Sequence, residues 1–362
     1  MLFDRDNVLI IAEAGVNHNG SIEMALQLVD AAKDAGANAV KFQTFKANKL
    51  VSMHTAKAEY QKVNTNCSET QLSMLQKLEL SHEDHKILIK HCSTRDIAFM
   101  SSPFDHESLN LLVKELQLPI IKLGSGELTN APLLLAIAQT GKPLILSTGM
   151  STLAEVKDAL GVLAFGYLNL IDKPRIDHFR AAFESSEGKV VLADKVTLLH
   201  CTTEYPAPIA EVNLKAMNTL AESFGLCVGF SDHTEGWLIS AAAVVRGAQV
   251  IEKHFTLDRS LPGPDHQASL EPDELRAMVV AIRQVESALG DGIKRPAPSE
   301  IKNIAAARKS LVAAEAIASG ETFTLQNLAV KRPGNGVSPF RFWEFLGHRS
   351  ERSYTCDEVV KN

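Results

Sequence analysis

The sequence predicts an α/β protein: a (β/α)8 TIM barrel followed by a small β-rich domain. Three observations predict it. Short apolar, β-branched runs alternate with longer helical stretches from the start of the chain, the pattern of parallel strands joined by crossover helices. Eight such runs occur before residue 290, the number a closed barrel needs. No G-x-G-x-x-G follows the first run, so the alternative of an open doubly wound sheet lacks its usual signal.

The first strand is expected at 8–14 and its helix at 24–35, with Gly36 as the stop, before a second strand at 39–45. Further strands are expected at 97–104, 120–127, 143–149, 196–201, 227–233 and 250–256. Two insertions interrupt the rhythm. Residues 46–77 follow the second strand, on the face where barrel enzymes carry substrate loops, and read as a lid or sugar-contacting excursion. Residues 167–195 enter before the sixth strand, on the opposite face, and read as a stability or assembly element. The last barrel helix, 271–289, ends at Gly290, which closes a barrel domain at 1–290. Residues 291–306 are rich in Pro, Gly and charge and read as a linker, leaving 307–362 for the second domain.

With 362 residues, 45% of them apolar and 22% charged, the chain can bury a large core and is neither disordered nor a small disulfide scaffold. Its 37 basic and 43 acidic residues give a net charge of -6, which opposes adsorption to nucleic acid or anionic lipid. Asp4 and Asp6 precede a short apolar run, and no stretch has membrane-spanning length, so neither a signal peptide nor an anchor is expected. Five scattered cysteines (Cys67, Cys92, Cys201, Cys227 and Cys356), without a C-x-x-C pair, point to a reducing cytoplasm.

The strands end in chemically capable residues: Glu13, Lys41, Gln43, Ser102, Lys122, Ser125, Glu127, Ser147, His200, Asp232, His233, Lys253 and His254. Any one could be a solvated strand end. Together they converge on one barrel rim, and three lysines there repel one another unless an anion lies between them. A phosphate or carboxylate substrate supplies that anion. GSGE at 124–127 and STG at 147–149 are turns in which small residues let backbone N–H groups and hydroxyls approach it. His233 and His254 end adjacent strands and either hold a divalent metal, Mn²⁺ or Mg²⁺, or in part serve as core hydrogen-bonding groups. His200 is a third candidate, as ligand or as acid and base. Asp265, in LPGPDH, faces the rim or simply forms a turn. His82, His85 and His91 are assigned to a solvated helix face.

IAEAGVNHNG, KFQTF, KLGSGE, LSTGM, LHCTTEYP, GFSDHT, EKHFTLD, GPDH and KRPGNG, in this order along the whole chain, resemble the sialic acid synthase family. The resemblance implies a TIM barrel with a carboxyl-terminal antifreeze-like (SAF) domain and a domain-swapped homodimer. It implies metal-dependent condensation of phosphoenolpyruvate with an N-acetylated mannose-type sugar, giving a nine-carbon 2-keto acid and phosphate by carbon–oxygen cleavage. By motif, His233 and His254 hold the metal. Lys41, Ser102, Lys122, Ser125, Ser147, Thr203 and Ser231 hold phosphoenolpyruvate. Gln43, Tyr205, Asp265 and Arg332 meet the sugar, Arg332 reaching across from the partner. Glu13, Lys41, Lys122, Glu127 and Asp265 form the catalytic set. Thr203 stands where some relatives carry Asn, and Ser102 where some carry Thr; both keep a hydrogen-bonding group.

N-acetylmannosamine is the first expected acceptor, making the product N-acetylneuraminate. The alternative is a legionaminic acid synthase using 2,4-diacetamido-2,4,6-trideoxymannose. Two other classes fit the residues: a Schiff-base aldolase with Lys122 or Lys253 as nucleophile, and a non-catalytic sugar-binding protein.

Overall fold

The structure is a computed structural model that describes residues 7–58, 61–62, 65 and 69–361. Asp4, Asp6, Cys67 and part of the 46–77 insertion lie outside the described residues. The chain divides into two compact units, Met1–Gly290 and Asp291–Asn362.

In the first unit the strands are β1 (Leu9–Gly15), β2 (Ala39–Thr44), β3 (Ala98–Pro103), β4 (Ile121–Leu123), β5 (Leu144–Ser147), β6 (Val196–His200), β7 (Cys227–Asp232) and β8 (Val250–His254). They form one parallel sheet in the order β3-β2-β1-β8-β7-β6-β5-β4, and β3 packs beside β4, so the sheet is barrel-like. Neighbours in sequence are neighbours in space because parallel strands need a crossover, and each crossover here carries helix. The first crossover shows how local sequence sets the boundaries. Ser21 accepts from the Met24 N–H at the start of helix Ile22–Ala35, and Gly36, at φ 89°, supplies the left-handed cap at its end.

Side chains along each strand alternate between the barrel interior and the surrounding helices. Leu9, Ile11, Ala39, Met100, Ile120, Ile145, Leu199 and Val250 pack together inside. The intervening residues, such as Ile10, Ala12, Val40, Phe42 and Phe230, join the larger core beneath the helices. β4 is shorter than the expected 120–127, because the chain enters a 3-10 turn at Ser125–Glu127, closed by the Glu127 N–H donating to Gly124 O at 3.1 Å.

The insertion after β2 contributes helices Ala47–Leu50 and Gln71–Gln76. Its Met74 and Leu78 pack with Val16 and Phe45, and against Leu50, Leu75 and Phe104. The second insertion forms helices Ile176–Glu184 and Ser186–Lys195, with Phe179 edge-on to Phe165.

In the second unit, β9 (Ser310–Ala313) pairs antiparallel with β10 (Leu328–Lys331), and isolated bridges join Val312 to Val359 and Ile317 to Tyr354. Leu311, Ala313, Ile317, Phe323, Leu328, Val337, Tyr354 and Val360 form its core. Part of the expected linker 291–306 is helical: Pro298 opens helix Pro298–Ala307, where its missing N–H costs nothing. Among the described residues no helix is long and apolar enough to cross a membrane.

Candidate active site

At the carboxyl ends of the strands the interior changes character. The positions that follow the inner apolar residues by one alternation include Glu13, Lys41, Ser102, Lys122, Ser147 and Glu252. These six, with Gln43, Ser125, Thr203, Tyr205, Ser231, His233, His254 and Asp265, line one cavity of about 220 Å3.

Its floor is a buried ionic cluster. Lys41 Nζ lies 2.7 Å from Glu13 Oε2 and 3.6 Å from Glu252 Oε2, and donates to Ser102 Oγ at 3.2 Å. Lys122 Nζ lies 3.2 Å from Glu252 Oε1, which also accepts from Ser231 Oγ at 2.7 Å. Gln43 Nε2 donates to Glu13 Oε1 at 3.3 Å. Both lysines and both glutamates are at most 5% exposed. Burial disfavours every one of these charges, and the neighbours decide how each responds. Burial pushes Glu13 up to about 7, with Lys41 opposing and Glu252 adding to the rise. Burial would also raise Glu252, but Lys122 and Lys41 overcome it and hold the carboxyl below its usual range. Burial would lower Lys41, yet Glu13 and Glu252 raise it, whereas Lys122 stays lowered by burial despite Glu252. The floor therefore combines a firmly ionised carboxylate with one that changes charge near neutrality.

The turns above the floor are tight. Ser125 Oγ accepts from the Gly149 N–H at 2.9 Å and lies 3.0 Å from Cys201 Sγ. A Cβ at Gly149 would stand 2.3 Å from Thr203 Oγ1, 2.9 Å from Ser125 Oγ and 3.0 Å from Cys201 Sγ, so a larger residue there would displace these side chains. Ser147 Oγ and Thr203 Oγ1 are buried atoms without a hydrogen-bond partner in the chain, as a cradle for a bound anion requires.

His233 and His254 stand side by side, ring centroids 5.7 Å apart, with Tyr205 4.3 Å from the first ring and 5.7 Å from the second. Burial lowers His233 to about 4 and His254 well below its ordinary value, so both rings are neutral at physiological pH. His233 Nδ1 donates to Thr202 O at 2.7 Å, which leaves Nε2, 3.4 Å from Ser231 Oγ, with its lone pair toward a ligand, and His254 Nδ1 is buried and unpartnered. The pair fits a divalent metal. Among the described residues no group of three or more His, Cys, Asp or Glu side chains is arranged around one, so further ligands would come from water or substrate.

Asp265 is buried on the loop after β8, and burial pushes its carboxyl up to about 6. Its backbone oxygen accepts from Ser269 Oγ at 2.6 Å, and Ser269 Oγ in turn accepts from Asn17 Nδ2 at 2.9 Å. His266 adds a second tie, its ring nitrogens 2.7 Å from Thr256 Oγ1 and 3.2 Å from Asn19 Oδ1. The loops after β1 and β8 are thereby fastened to each other.

Other sequence expectations land elsewhere. Lys253 and Asp232 face away from the cavity and pair with each other at 3.3 Å, so two lysines share the floor, not three. Adjacent strand residues point to opposite faces, and His254 and His233 take the inner ones. His200 also lies outside the cavity, donating from Nε2 to Val212 O at 2.7 Å. Glu127 turns out of the lining and accepts from Asn130 Nδ2 at 2.7 Å. Arg332 belongs to the second unit, where its Nε donates to Ala307 O at 3.1 Å. His85 is buried, not solvated, and bonds Ser81 O and Thr44 Oγ1 at 2.8 Å each. Sequence reasoning missed Glu252, although the inward alternation from His254 marks it. It also missed the tying role of Asn17, Asn19 and His266, which only the packing of two distant loops reveals.

Comparison with known proteins shows the family. The NeuB family model matches residues 28–294. N,N'-diacetyllegionaminic acid synthase of Campylobacter jejuni subsp. jejuni serotype O:2 is 51% identical, over 98% of each chain. The protein of the same name from Legionella pneumophila subsp. pneumophila is 46% identical, over 94% of this chain and 89% of its own. The crystal structure of N-acetylneuraminic acid (sialic acid) synthetase from Leptospira borgpetersenii serovar Hardjo-bovis, in complex with citrate, matches with a TM-score of 0.67 at 32% identity, over 82% of this chain and 90% of that one. The chain belongs to the NeuB family, and it is an enzyme.

Proposed function

We propose that this enzyme is an N,N'-diacetyllegionaminic acid synthase, which condenses phosphoenolpyruvate with 2,4-diacetamido-2,4,6-trideoxymannose. The condensation rests on one observation above all: two buried lysines and a cradle of unpartnered hydroxyls share a cavity with two neutral histidines. The choice of acceptor rests on the relatives at 51% and 46% identity, both named for the diacetylated product. They favour the second expected acceptor over N-acetylmannosamine.

In this reading Lys41 and Lys122 neutralise the anionic groups of phosphoenolpyruvate, and Ser102, Ser125, Ser147, Thr203 and Ser231 fix its orientation. Mn²⁺ or Mg²⁺ held by His233 and His254 would polarise the aldehyde of the open-chain sugar as a Lewis acid. Tyr205, Gln43 and Asp265 orient the sugar so that its C1 lies against C3 of phosphoenolpyruvate, turning a bimolecular encounter into an intramolecular one. C3 attacks C1, the aldehyde oxygen takes the electron pair and a proton to become a hydroxyl, and positive charge develops at C2 of the former enol. Glu13, poised near neutrality, takes a proton from the water that adds to C2. The resulting tetrahedral centre expels phosphate with cleavage of its C–O bond, the new C2 hydroxyl gives its proton to the departing phosphate, and the 2-keto acid is left. From the resemblance we also propose that residues 307–362 form an SAF domain and that Arg332 reaches the sugar in a domain-swapped dimer.

Phosphate release from phosphoenolpyruvate, measured with each sugar, tests the reading. Release with the diacetamido sugar, lost in chelator and restored by Mn²⁺, is the expected result. Release with N-acetylmannosamine alone would make the enzyme an N-acetylneuraminate synthase. A borohydride-trapped substrate adduct on Lys122 would favour an aldolase instead.

A further inference from the structure

One wall of the cavity takes no part in the ionic chemistry. Val16 follows β1, Phe104 follows β3, and Met74, Leu75 and Leu78 come from helix Gln71–Gln76 and the turn after it. All five stand beyond the strand ends, while Lys41 and Lys122 lie within the strands, so the wall belongs to the mouth of the cavity and the lysines to its floor. Val16, Met74 and Leu78 form one buried cluster with Phe45, and Leu75 and Phe104 pack against it together with Leu50. Met74 and Leu78 are buried, and Leu75 is half-buried. Gln61 joins the lining here, with its amide oxygen engaged by the Ala58 N–H and Gln71 Nε2 at 3.1 Å each.

An acceptor whose aldehyde carbon meets phosphoenolpyruvate at the floor must send its far end toward the mouth. A hydroxymethyl group against carbon surface exchanges water hydrogen bonds for none, whereas a methyl group gains burial there. We infer that the wall made by Met74, Leu75 and Leu78 reads the sixth carbon of the acceptor as a methyl group, with Leu75, the one of the three that is not fully buried, the principal specificity determinant. The inference rests on the proposed function and extends it to named residues. An apolar wall cannot reject an added hydroxyl absolutely: such pockets discriminate by about 10²-fold at most.

The test compares two sugars that differ only at that carbon, 2,4-diacetamido-2,4,6-trideoxymannose and its 6-hydroxy counterpart. The wild-type enzyme is expected to prefer the 6-deoxy sugar by roughly 10- to 100-fold in kcat/KM. In Leu75→Gln the ratio is expected to fall about tenfold, with the KM for phosphoenolpyruvate unchanged, because a polar group at the wall accommodates the hydroxyl. Leu75→Met should keep the ratio, and Gln76→Ala, at an exposed position of the same helix, should change neither sugar. Melting temperatures separate a specificity change from loss of fold, and Met74→Gln provides a second variant. A wild-type enzyme that uses both sugars equally, or a ratio unmoved in both glutamine variants, overturns the inference alone. A wild-type enzyme that uses neither sugar overturns the proposed function and the inference with it.

Discussion

At the amino ends of the barrel strands the interior is filled by Leu9, Ile11, Ala39, Met100, Ile120, Ile145, Leu199 and Val250; one alternation further along, it is filled by Glu13, Lys41, Ser102, Lys122, Ser147 and Glu252. Both layers are buried, and they sit on the same strands. The lower layer is close-packed carbon whose burial is favourable without any partner. The upper layer carries four buried charges, which are tolerable only because each lysine has a glutamate beside it and each glutamate a lysine. The contrast separates two kinds of burial: one stabilises the fold, and the other stores charge for an anion at a cost the lower layer offsets.

Substitutions in the two layers should therefore fail differently. The largest effect is expected in Lys122→Ala, which leaves Glu252 short of one partner and removes a cation from the anion site. A loss of about 2–5 kcal/mol in substrate interaction corresponds to a KM for phosphoenolpyruvate raised from roughly 30-fold to several thousandfold. Steady-state kinetics at saturating sugar measures it. Leu9→Ala, in the lower layer, should cost about 2–5 kcal/mol of stability through the cavity it leaves. In denaturant titration the midpoint should drop, while KM for both substrates stays at the wild-type value.

A smaller, pH-dependent effect follows from Glu13, whose carboxyl is raised from 4.5 to about 7. Between those values the folded chain holds a proton that the unfolded chain has lost, so Glu13's contribution to stability falls as pH rises from about 4.5 to 7. Turnover moves the other way, because the base is active only when ionised. A kcat/KM profile should rise through about pH 7 in wild type, and Glu13→Gln should flatten that limb. The smallest effect is expected for His200→Ala. Outside the cavity, it should lose about 1 kcal/mol with its hydrogen bond to Val212 and leave kcat/KM unchanged, as thermal melts and kinetics on one preparation would show.

The strands were legible because each is a short apolar run between turn signals: Gly36, which ends the first helix, precedes β2, and the turn from Gly124 marks where β4 stops. The site was legible in so far as it follows strand ends: Glu13, Lys41, Ser102, Lys122, Ser147, His233 and His254 all face one cavity. Where the reading failed, it treated neighbouring residues as sharing a face. In VIEKH the inward position of His254 places Glu252 inside and Lys253 outside, and in FSDH the same alternation sends Asp232 outward. The apolar wall from Met74 to Leu78 and the ties through His266 depend on segments far apart in sequence, joined only by tertiary packing. No single-sequence periodicity encodes such contacts.

The central claim is best tested with phosphoenolpyruvate carrying ¹⁸O in its bridging C–O–P position, incubated with the purified enzyme, Mn²⁺ and 2,4-diacetamido-2,4,6-trideoxymannose. The account predicts a nine-carbon 2-keto acid by mass spectrometry, with the label recovered in inorganic phosphate. Label retained in the keto acid, or no nine-carbon product from folded and metal-loaded enzyme, would contradict it.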